Sequence, residues 1–108
     1  DATLGLLSVA EYETEFADGI RKRRTVYGRA GEFRMKPFGI EYRTLPSSTL
    51  HMMTPSHLFA LVKTALNLPT APLIAVGPEI QYTINNVDQS SARDLLNTLH
   101  GERNELFN

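Results

Sequence analysis

Residues 27–45 read YGRAGEFRMKPFGIEYRTL, and the rest of the chain is organised around this stretch. Within it, residues 33–37 and 40–45 have the character of two short β-strands. Phe38 and Gly39 lie between them as a candidate turn, because glycine adopts positive φ without a steric penalty. The stretch therefore predicts a short antiparallel β-hairpin or sheet edge over about residues 33–45.

Positive charge is concentrated in this stretch and just before it. Eight of the chain's eleven Lys and Arg residues fall within residues 21–43, although the formal net charge of the whole chain is −1. Four of the eight are the consecutive cations of residues 21–24. A local cluster of this kind in an otherwise acidic protein is typical of a site that holds a polyanion.

The two predicted strands place four charged side chains in a pattern that suits a nucleotide. Alternate residues of a strand share a face, so Glu41 projects with Arg43, and Arg34 projects with Lys36. If the strands pair, one surface carries three cations around one carboxylate, which can take a divalent metal while the cations neutralise phosphate oxygens. The alternative is a solvated basic hairpin in which Glu41 forms ordinary surface ion pairs with Arg43 or Arg34.

The motif also resembles a known family. An Arg-Arg pair is followed by Tyr-Gly-Arg-Ala-Gly-Glu-Phe-Arg-x-Lys-Pro-Phe-Gly-Ile-Glu-Tyr-Arg-Thr-Leu, ending at Leu45. This is similar to the phage-type COOH.NH2 ligases of type 2, amidoligases of the glutamine synthetase and glutamate–cysteine ligase superfamily. The resemblance is dense over about twenty residues and implies part of a glutamine-synthetase-like catalytic domain. It implies ATP-dependent formation of an amide or peptide-like bond through an acyl-phosphate.

The resemblance also implies cofactors and residue roles. ATP and Mg²⁺ are implied, with Mn²⁺ as a possible substitute, and Glu41 is implied as the metal ligand. Five cations are implied near phosphate or acyl-phosphate oxygens: for catalysis Arg43 and Arg34, and for nucleotide binding Lys36, Arg29 and Arg24.

The chain departs from that family's pattern at its N-terminal side. Acidic metal-binding motifs are expected upstream, whereas this chain begins at Asp1 and reaches the basic motif within about twenty residues. The expectation is therefore the C-terminal portion of an amidoligase domain, inactive until the missing half, another chain or self-association completes it. Its substrates would be ATP, a carboxylate and an amine, and its expected location is the cytoplasm, of a host cell if it is phage-encoded.

A second function stays open beside the ligase. In this alternative the basic patch serves a non-catalytic phage or virion component, or a module that binds nucleic acid or another anion. Aromatic residues that stack on bases would be expected there, and four of them interleave with the cations: Tyr27, Phe33, Phe38 and Tyr42. Two carboxylates in the motif and a near-neutral chain favour the ligase, since a groove that tracks phosphates would exclude Glu41.

Composition sets the class of protein. The chain has 108 residues, 42% of them apolar, which predicts one globular domain with a modest core. It has no cysteine, which excludes disulfides and thiolate metal sites. His51, His57 and His100 are far apart and form no recognisable metal-binding pair. No apolar run is long enough to span a membrane, so a soluble protein is expected.

Helices are predicted on both sides of the motif, which gives an α+β fold of one hairpin and about four helices. In the helical region 1–26, residues 1–7 are the end of a helix, and Ser8 caps a second helix over about residues 9–24.

In the helical region 46–101, Thr54 caps a helix over residues 55–66 with proline at its first position. Residues 68–77 are predicted as a loop. Residues 78–87 fit a strand or a helix, and a helix is preferred. Asp88 caps a last helix at about 89–99, and the polar tail 102–108 is expected to fray.

Overall fold

The computed structural model describes residues 1–101, so the expectation of a frayed tail lies outside the described residues. Those residues form an α+β fold, as predicted: a two-stranded antiparallel sheet, six α-helices and a single turn of 3₁₀-helix. In chain order the elements are α1 (Leu4–Glu11), the 3₁₀ turn (Thr14–Phe16), α2 (Ala17–Arg23), β1 (Phe33–Lys36), β2 (Gly39–Tyr42), α3 (Ser47–Met52), α4 (Pro55–Leu66), α5 (Thr70–Asn85) and α6 (Gln89–His100).

The predicted hairpin is confirmed, with slightly shorter strands. β1 pairs antiparallel with β2 in a register that sets Arg34 opposite Glu41 and Lys36 opposite Gly39. The two-residue turn is therefore Pro37 and Phe38, one position earlier than expected, and Gly39 opens the second strand with φ 151°.

The N-terminal region differs from its prediction. A helix begins at Leu4, and Ser8 lies inside it, fully buried, instead of capping a helix that starts at residue 9. The predicted single helix over residues 9–24 is divided into the end of α1, the 3₁₀ turn and α2. Residues 5–10 are all buried, so this part of α1 packs on every side and does not form the single apolar stripe on which the predicted helix was based.

The C-terminal helices match their predicted caps. The Thr54 hydroxyl accepts a hydrogen bond from the His57 N–H at 3.2 Å, and Asp88 accepts one from the Ser91 N–H at 3.1 Å. The predicted loop over residues 68–77 is wrong, because α5 starts at Thr70 and continues through Pro78. Proline removes one helical hydrogen bond, and the buried side chains of the following turns offset that loss.

The core is built around α1. Its apolar side chains pack against those of α5 and α6, and Leu61 of α4 joins them. Gly5 allows the close approach, since a Cβ at that position would lie 2.8 Å from Ile84 Cδ1 and 2.9 Å from the Tyr42 hydroxyl. The same helix thus contacts α5 on one side and the end of the hairpin on the other. This places the basic motif against the core at Tyr42.

The rest of the hairpin projects from the core. Its apolar face carries Phe33, Met35 and Ile40, which are 57%, 69% and 64% exposed, and Phe38 at the turn is 87% exposed. Among residues 1–101 no further strand pairs with either edge. Within the described residues the hairpin therefore has an open edge and an exposed apolar surface. No single helix of the described chain is long and apolar enough to span a membrane; only α4 and α5 together pass that test, across a 114° bend.

Candidate functional site: a basic hairpin beside a cavity

The polar face of the hairpin brings three of the predicted site residues together. Arg34 Nε lies 3.7 Å and Lys36 Nζ 3.9 Å from the same oxygen, Glu41 Oε2. The side chains of Arg34, Lys36 and Glu41 are 50%, 33% and 48% exposed, respectively. Both distances exceed the usual range of a hydrogen bond, so the cations are attracted to Glu41 without being tightly bound by it. They keep donors that can bind an anion from solvent.

Arg43 lies just beyond β2 and is held by an aromatic ring. Its Nη2 donates a hydrogen bond of 2.8 Å to the Tyr27 hydroxyl, and its guanidinium carbon lies 4.8 Å from the centre of that ring. The hydrogen bond to Tyr27 is the main cause that raises the pKa of Arg43 above its usual value, with smaller contributions from Glu41 and Glu32. Arg43 is therefore a permanent positive charge in a fixed place.

A second arginine contacts the same ring. The guanidinium carbon of Arg23, the last residue of α2, also lies 4.8 Å from the centre of the Tyr27 ring. An aromatic face attracts cations, so Tyr27 orients two arginines at once. Sequence reasoning missed Arg23 as a site residue. Its spacing of four residues from Tyr27, one helical turn, was the available signal.

These charged groups border a cavity of about 530 Å³ between α2 and the segment that follows β2. Its charged wall is formed by Glu41, Arg43 and Arg23, and its apolar wall includes Phe16, Leu45 and Leu50. Glu41, Tyr42 and Arg43 all line this cavity, so the prediction that Glu41 and Arg43 reach the same side of the strand stays a prediction. A volume of this size suits a small molecule.

Arg24 has different surroundings from the other predicted site residues. Its side chain is 2% exposed, and it forms an ion pair of 2.5 Å with Glu13, which is fully buried. All five of its N–H donors are used within the protein, two of them on Glu13 and three on backbone carbonyls. No donor remains for a nucleotide, so the predicted nucleotide contact of Arg24 has no support in the structure.

The carbonyls that Arg24 binds show what it does instead. They belong to Gly28, before the hairpin, to Thr44, after it, and to Ile84 of α5, at 3.0, 3.0 and 2.8 Å. Gly28 has φ +72°, which turns the chain so that its carbonyl meets the guanidinium. Through these hydrogen bonds Arg24 connects both ends of the basic motif to α5.

The buried carboxylate of Glu13 has a further hydrogen-bond donor besides Arg24. Glu13 accepts a short hydrogen bond from the Ser8 hydroxyl, which in turn lies 2.8 Å from the Thr49 hydroxyl. The chain of contacts links α1, α2 and α3 beneath the motif. This also explains why Ser8, inside α1, is a serine.

Arg29 lies away from the cavity. It is exposed and borders a separate depression of about 330 Å³ with Asn85. Its carbonyl accepts a 2.8 Å hydrogen bond from the Thr44 hydroxyl, which closes the loop before β1 against the segment after β2. The structure therefore does not bring Arg29 together with Glu41 and Arg43.

No preformed metal cage accompanies Glu41. Within residues 1–101, no group of three or more His, Cys, Asp or Glu side chains is close enough to hold a metal ion. A cation at Glu41 would need most of its ligands from a bound substrate and water. That arrangement is the usual one for Mg²⁺ bound with a nucleotide.

Comparison with known proteins gives one result. Residues 2–98 match the sequence model of the family described as phage phiEco32-like COOH.NH2 ligase-type 2. No curated protein and no solved structure shows a significant match to the chain.

Proposed function

The chain belongs to the phage phiEco32-like COOH.NH2 ligase-type 2 family, and on that premise we propose that it acts in an ATP-dependent ligase that joins a carboxylate to an amine. The reaction has two steps. A substrate carboxylate oxygen attacks the γ-phosphorus of ATP and ADP leaves. The amine nitrogen then attacks the acyl carbon, phosphate leaves, and the nitrogen loses a proton to give the amide.

The observation that carries this proposal is the cluster of Arg34, Lys36 and Glu41 on an exposed hairpin face, next to the cavity that Arg43 borders. Phosphoryl transfer needs little covalent help from a protein, and its rate depends on positioning and on cations near the phosphoryl oxygens. Arg34 and Lys36 are accessible to the phosphates of ATP. Arg43 lines the cavity together with Glu41, and its guanidinium can bind two oxygens at once.

Glu41 is the residue that fits Mg²⁺ or Mn²⁺. Its carboxylate is half-exposed, lies beside the cations that would hold the phosphates, and is not consumed by a hydrogen-bonded ion pair. Mg²⁺ bound with a nucleotide commonly has one or two protein carboxylates, and the phosphates and water supply the rest. Bound there, the ion would neutralise phosphate charge. Glu41 would hold it, while Arg34 and Lys36 position the nucleotide.

The open hairpin supports the further proposal of a partner. A two-stranded sheet is marginal by itself, and the exposed face of Phe33, Met35 and Ile40 is large and apolar. We expect another part of the ligase, or a second copy of the chain, to cover it. ATP binding would then be tight only in that completed form.

A binding module without catalysis is the second candidate function. The observation that favours it is the exposure of Phe33 and Phe38 beside the hairpin cations, which suits the stacking of unpaired bases. In that case the chain would bind single-stranded nucleic acid in a salt-dependent manner, as a virion component for example, and Glu41 would weaken the binding. Neutralising Glu41 therefore separates the two functions.

The test is calorimetric titration of ATP with and without Mg²⁺ in the completed form of the ligase, as wild type and as Glu41→Gln. We expect Mg²⁺ to strengthen ATP binding to the wild type at least tenfold, and Glu41→Gln to abolish that strengthening. Glu15→Gln is the matched control, since Glu15 is an exposed acid outside the motif. An unchanged Mg²⁺ effect in Glu41→Gln contradicts the metal role, and tighter binding of an oligonucleotide to that variant favours the binding module.

Turnover is tested on Arg43. In the completed ligase, with hydroxylamine as the amine and a pool of amino acids as carboxylates, formation of hydroxamate and ADP reports an activated acyl group. Arg43→Lys should lower kcat about 10³-fold, with a smaller change in KM, because the guanidinium acts mainly on the transition state. Arg93→Lys, in a distant exposed ion pair, is the control. A near-normal kcat in Arg43→Lys would mean that Arg43 is an ordinary surface cation and that the catalytic site lies elsewhere.

A further inference from the structure

The cavity beside the hairpin has one wall whose composition the proposed function does not explain. The residues of α2 and its preceding turn that line it are Phe16, Gly19, Ile20 and Arg23. Their spacing of three, one and three residues puts them on one face of the helix. Along this face the wall changes from aromatic to cationic over a length of about 10 Å.

Gly19 is the unusual member of this wall. Glycine is unfavourable inside a helix, where it is less stable than alanine. A Cβ added at Gly19 would meet no atom of the described chain within 4 Å, and the residue does not adopt positive φ. Neither packing nor backbone geometry therefore requires glycine here. What the missing side chain does provide is room in the cavity.

The charges around the cavity limit what can fill that room. Arg23 and Arg43 are both oriented by Tyr27 and both line the cavity, together with one carboxylate, Glu41. Arg24 lines it as well, but its charge is matched by buried Glu13. Glu41 in turn lies near Arg34 and Lys36 on the hairpin face, so the two arginines on Tyr27 give this wall a positive charge. Two fixed guanidinium groups beside each other suit a carboxylate, which each of them can bind through two oxygens.

The remaining lining is apolar. Phe16, Leu45, Pro46 and Leu50 contribute to it, and Phe16 and Leu50 are about half exposed, so both offer surface to a ligand. Apolar surface of this kind binds a hydrocarbon body, while a few fixed polar groups orient one end. A cavity of about 530 Å³ can hold both the hydrocarbon body and the charged end of one small molecule.

We propose that this cavity binds the carboxylate substrate, and that the substrate is an acid with an apolar body. Its carboxylate meets Arg23 and Arg43, and its body lies along Gly19 between Phe16 and Leu50. The identification of this ligand as the acid that is ligated rests on the proposed function, whereas its binding does not require ATP. Gly19 and Arg23 then determine specificity, and the acid is held where Arg43 joins the cavity to the hairpin cations.

The probe is hexanoate, titrated into the ¹⁵N-labelled chain without nucleotide or metal and followed by NMR. We expect the amide signals of Gly19 and Arg23 to shift with saturation, and acetate and hexanol, which each lack one half of the ligand, to bind at least fivefold more weakly. Gly19→Ala should weaken hexanoate binding at least fivefold while its melting temperature stays equal or rises. Arg23→Gln should weaken hexanoate but not hexanol.

The matched control is Gly77→Ala. Gly77 lies inside α5, a Cβ there also meets nothing within 4 Å, and it does not line this cavity. Gly77 precedes Pro78, which disfavours a helical Cβ at that position, so a gain in helix stability is expected for Gly19→Ala alone. Gly77→Ala should bind hexanoate as the wild type does, and only Gly19→Ala should lose hexanoate. Equal hexanoate affinity in wild type and Gly19→Ala would overturn the proposal, as would equal binding of hexanol. Displacement of hexanoate by adenosine would overturn it too, by identifying a base pocket. Failure of Gly19→Ala to weaken hexanoate, or equal binding of hexanol, leaves Mg²⁺-dependent ATP binding at Glu41 unaffected, so the two proposals fail separately.

Discussion

Two groups of arginine and glutamate in this chain have opposite environments. Arg24 and Glu13 lie under the motif with 2% and 0% of their side chains exposed, at 2.5 Å. Arg34 and Glu41 lie on the hairpin at 3.7 Å, each about half exposed. The buried pair has used every donor of its arginine, whereas the exposed pair has not formed a close hydrogen bond.

The difference shows which charges are available for function. A buried charge must be matched by a partner and by hydrogen bonds, because its separation from water is expensive. Such a residue stabilises the arrangement and has no capacity left for a ligand. An exposed cluster is solvated, gains little from its own ion pairs, and can exchange water for phosphate. One group therefore positions the motif, and the other is free to bind.

The largest effect is expected when the buried pair is broken. Arg24→Met should lower the free energy of unfolding by about 3–5 kcal/mol, since it leaves Glu13 buried without its partner. Urea unfolding followed by circular dichroism measures this. Arg34→Met is the matched control, with an expected loss of about 1 kcal/mol or less.

A double variant sharpens the interpretation. Glu13→Leu with Arg24→Met removes both charges, so it should be less destabilised than Arg24→Met alone. An equal loss of unfolding free energy in Arg24→Met and Arg34→Met would contradict the view that the buried pair stabilises the fold more than the exposed pair does.

An intermediate effect is expected from pH at the junction of the two regions. Burial raises the pKa of Tyr42 from 10.0 to about 12. Since the folded protein holds this proton more tightly than the unfolded chain, the free energy of unfolding should fall as pH rises from about 10 to 12, by about 2–3 kcal/mol.

The comparison with Tyr42→Phe isolates this contribution from the other groups that titrate at high pH. Unfolding measured at pH 9, 10 and 11 should show a shallower decline in Tyr42→Phe than in wild type. Parallel declines in the two proteins would contradict the assignment of the shift to Tyr42.

The smallest effect on stability, with a large effect on binding, is expected at the exposed cluster. Lys36→Met should change the free energy of unfolding by less than about 1 kcal/mol. Binding of pyrophosphate, measured by calorimetry at low salt, should weaken several-fold and become less sensitive to salt. A variant at Lys63, an exposed lysine of α4, is the control, and an equal loss in Lys63→Met would indicate a non-specific charge effect.

Much of the fold could be predicted because its signals are local. The hairpin follows from alternation and a turn over thirteen residues, and the caps at Thr54 and Asp88 depend on a side chain and an N–H three residues away. The shared face of Arg34, Lys36 and Glu41 follows from strand geometry alone. The family was also recognisable from the motif, before the match over residues 2–98.

The sequence by itself thus determined the hairpin, the face of its charged residues, the caps of two helices and the family. The tertiary structure alone decided which charges are buried: nothing in the run of residues 21–24 distinguishes Arg24, whose partners lie 11, 20 and 60 residues away in the chain. It likewise decided that Ser8 is a buried link, that residues 70–77 are helical, and that Gly19 faces a cavity. The physical reason is the same in each case, because burial depends on which distant segments pack together, and local propensity does not specify that.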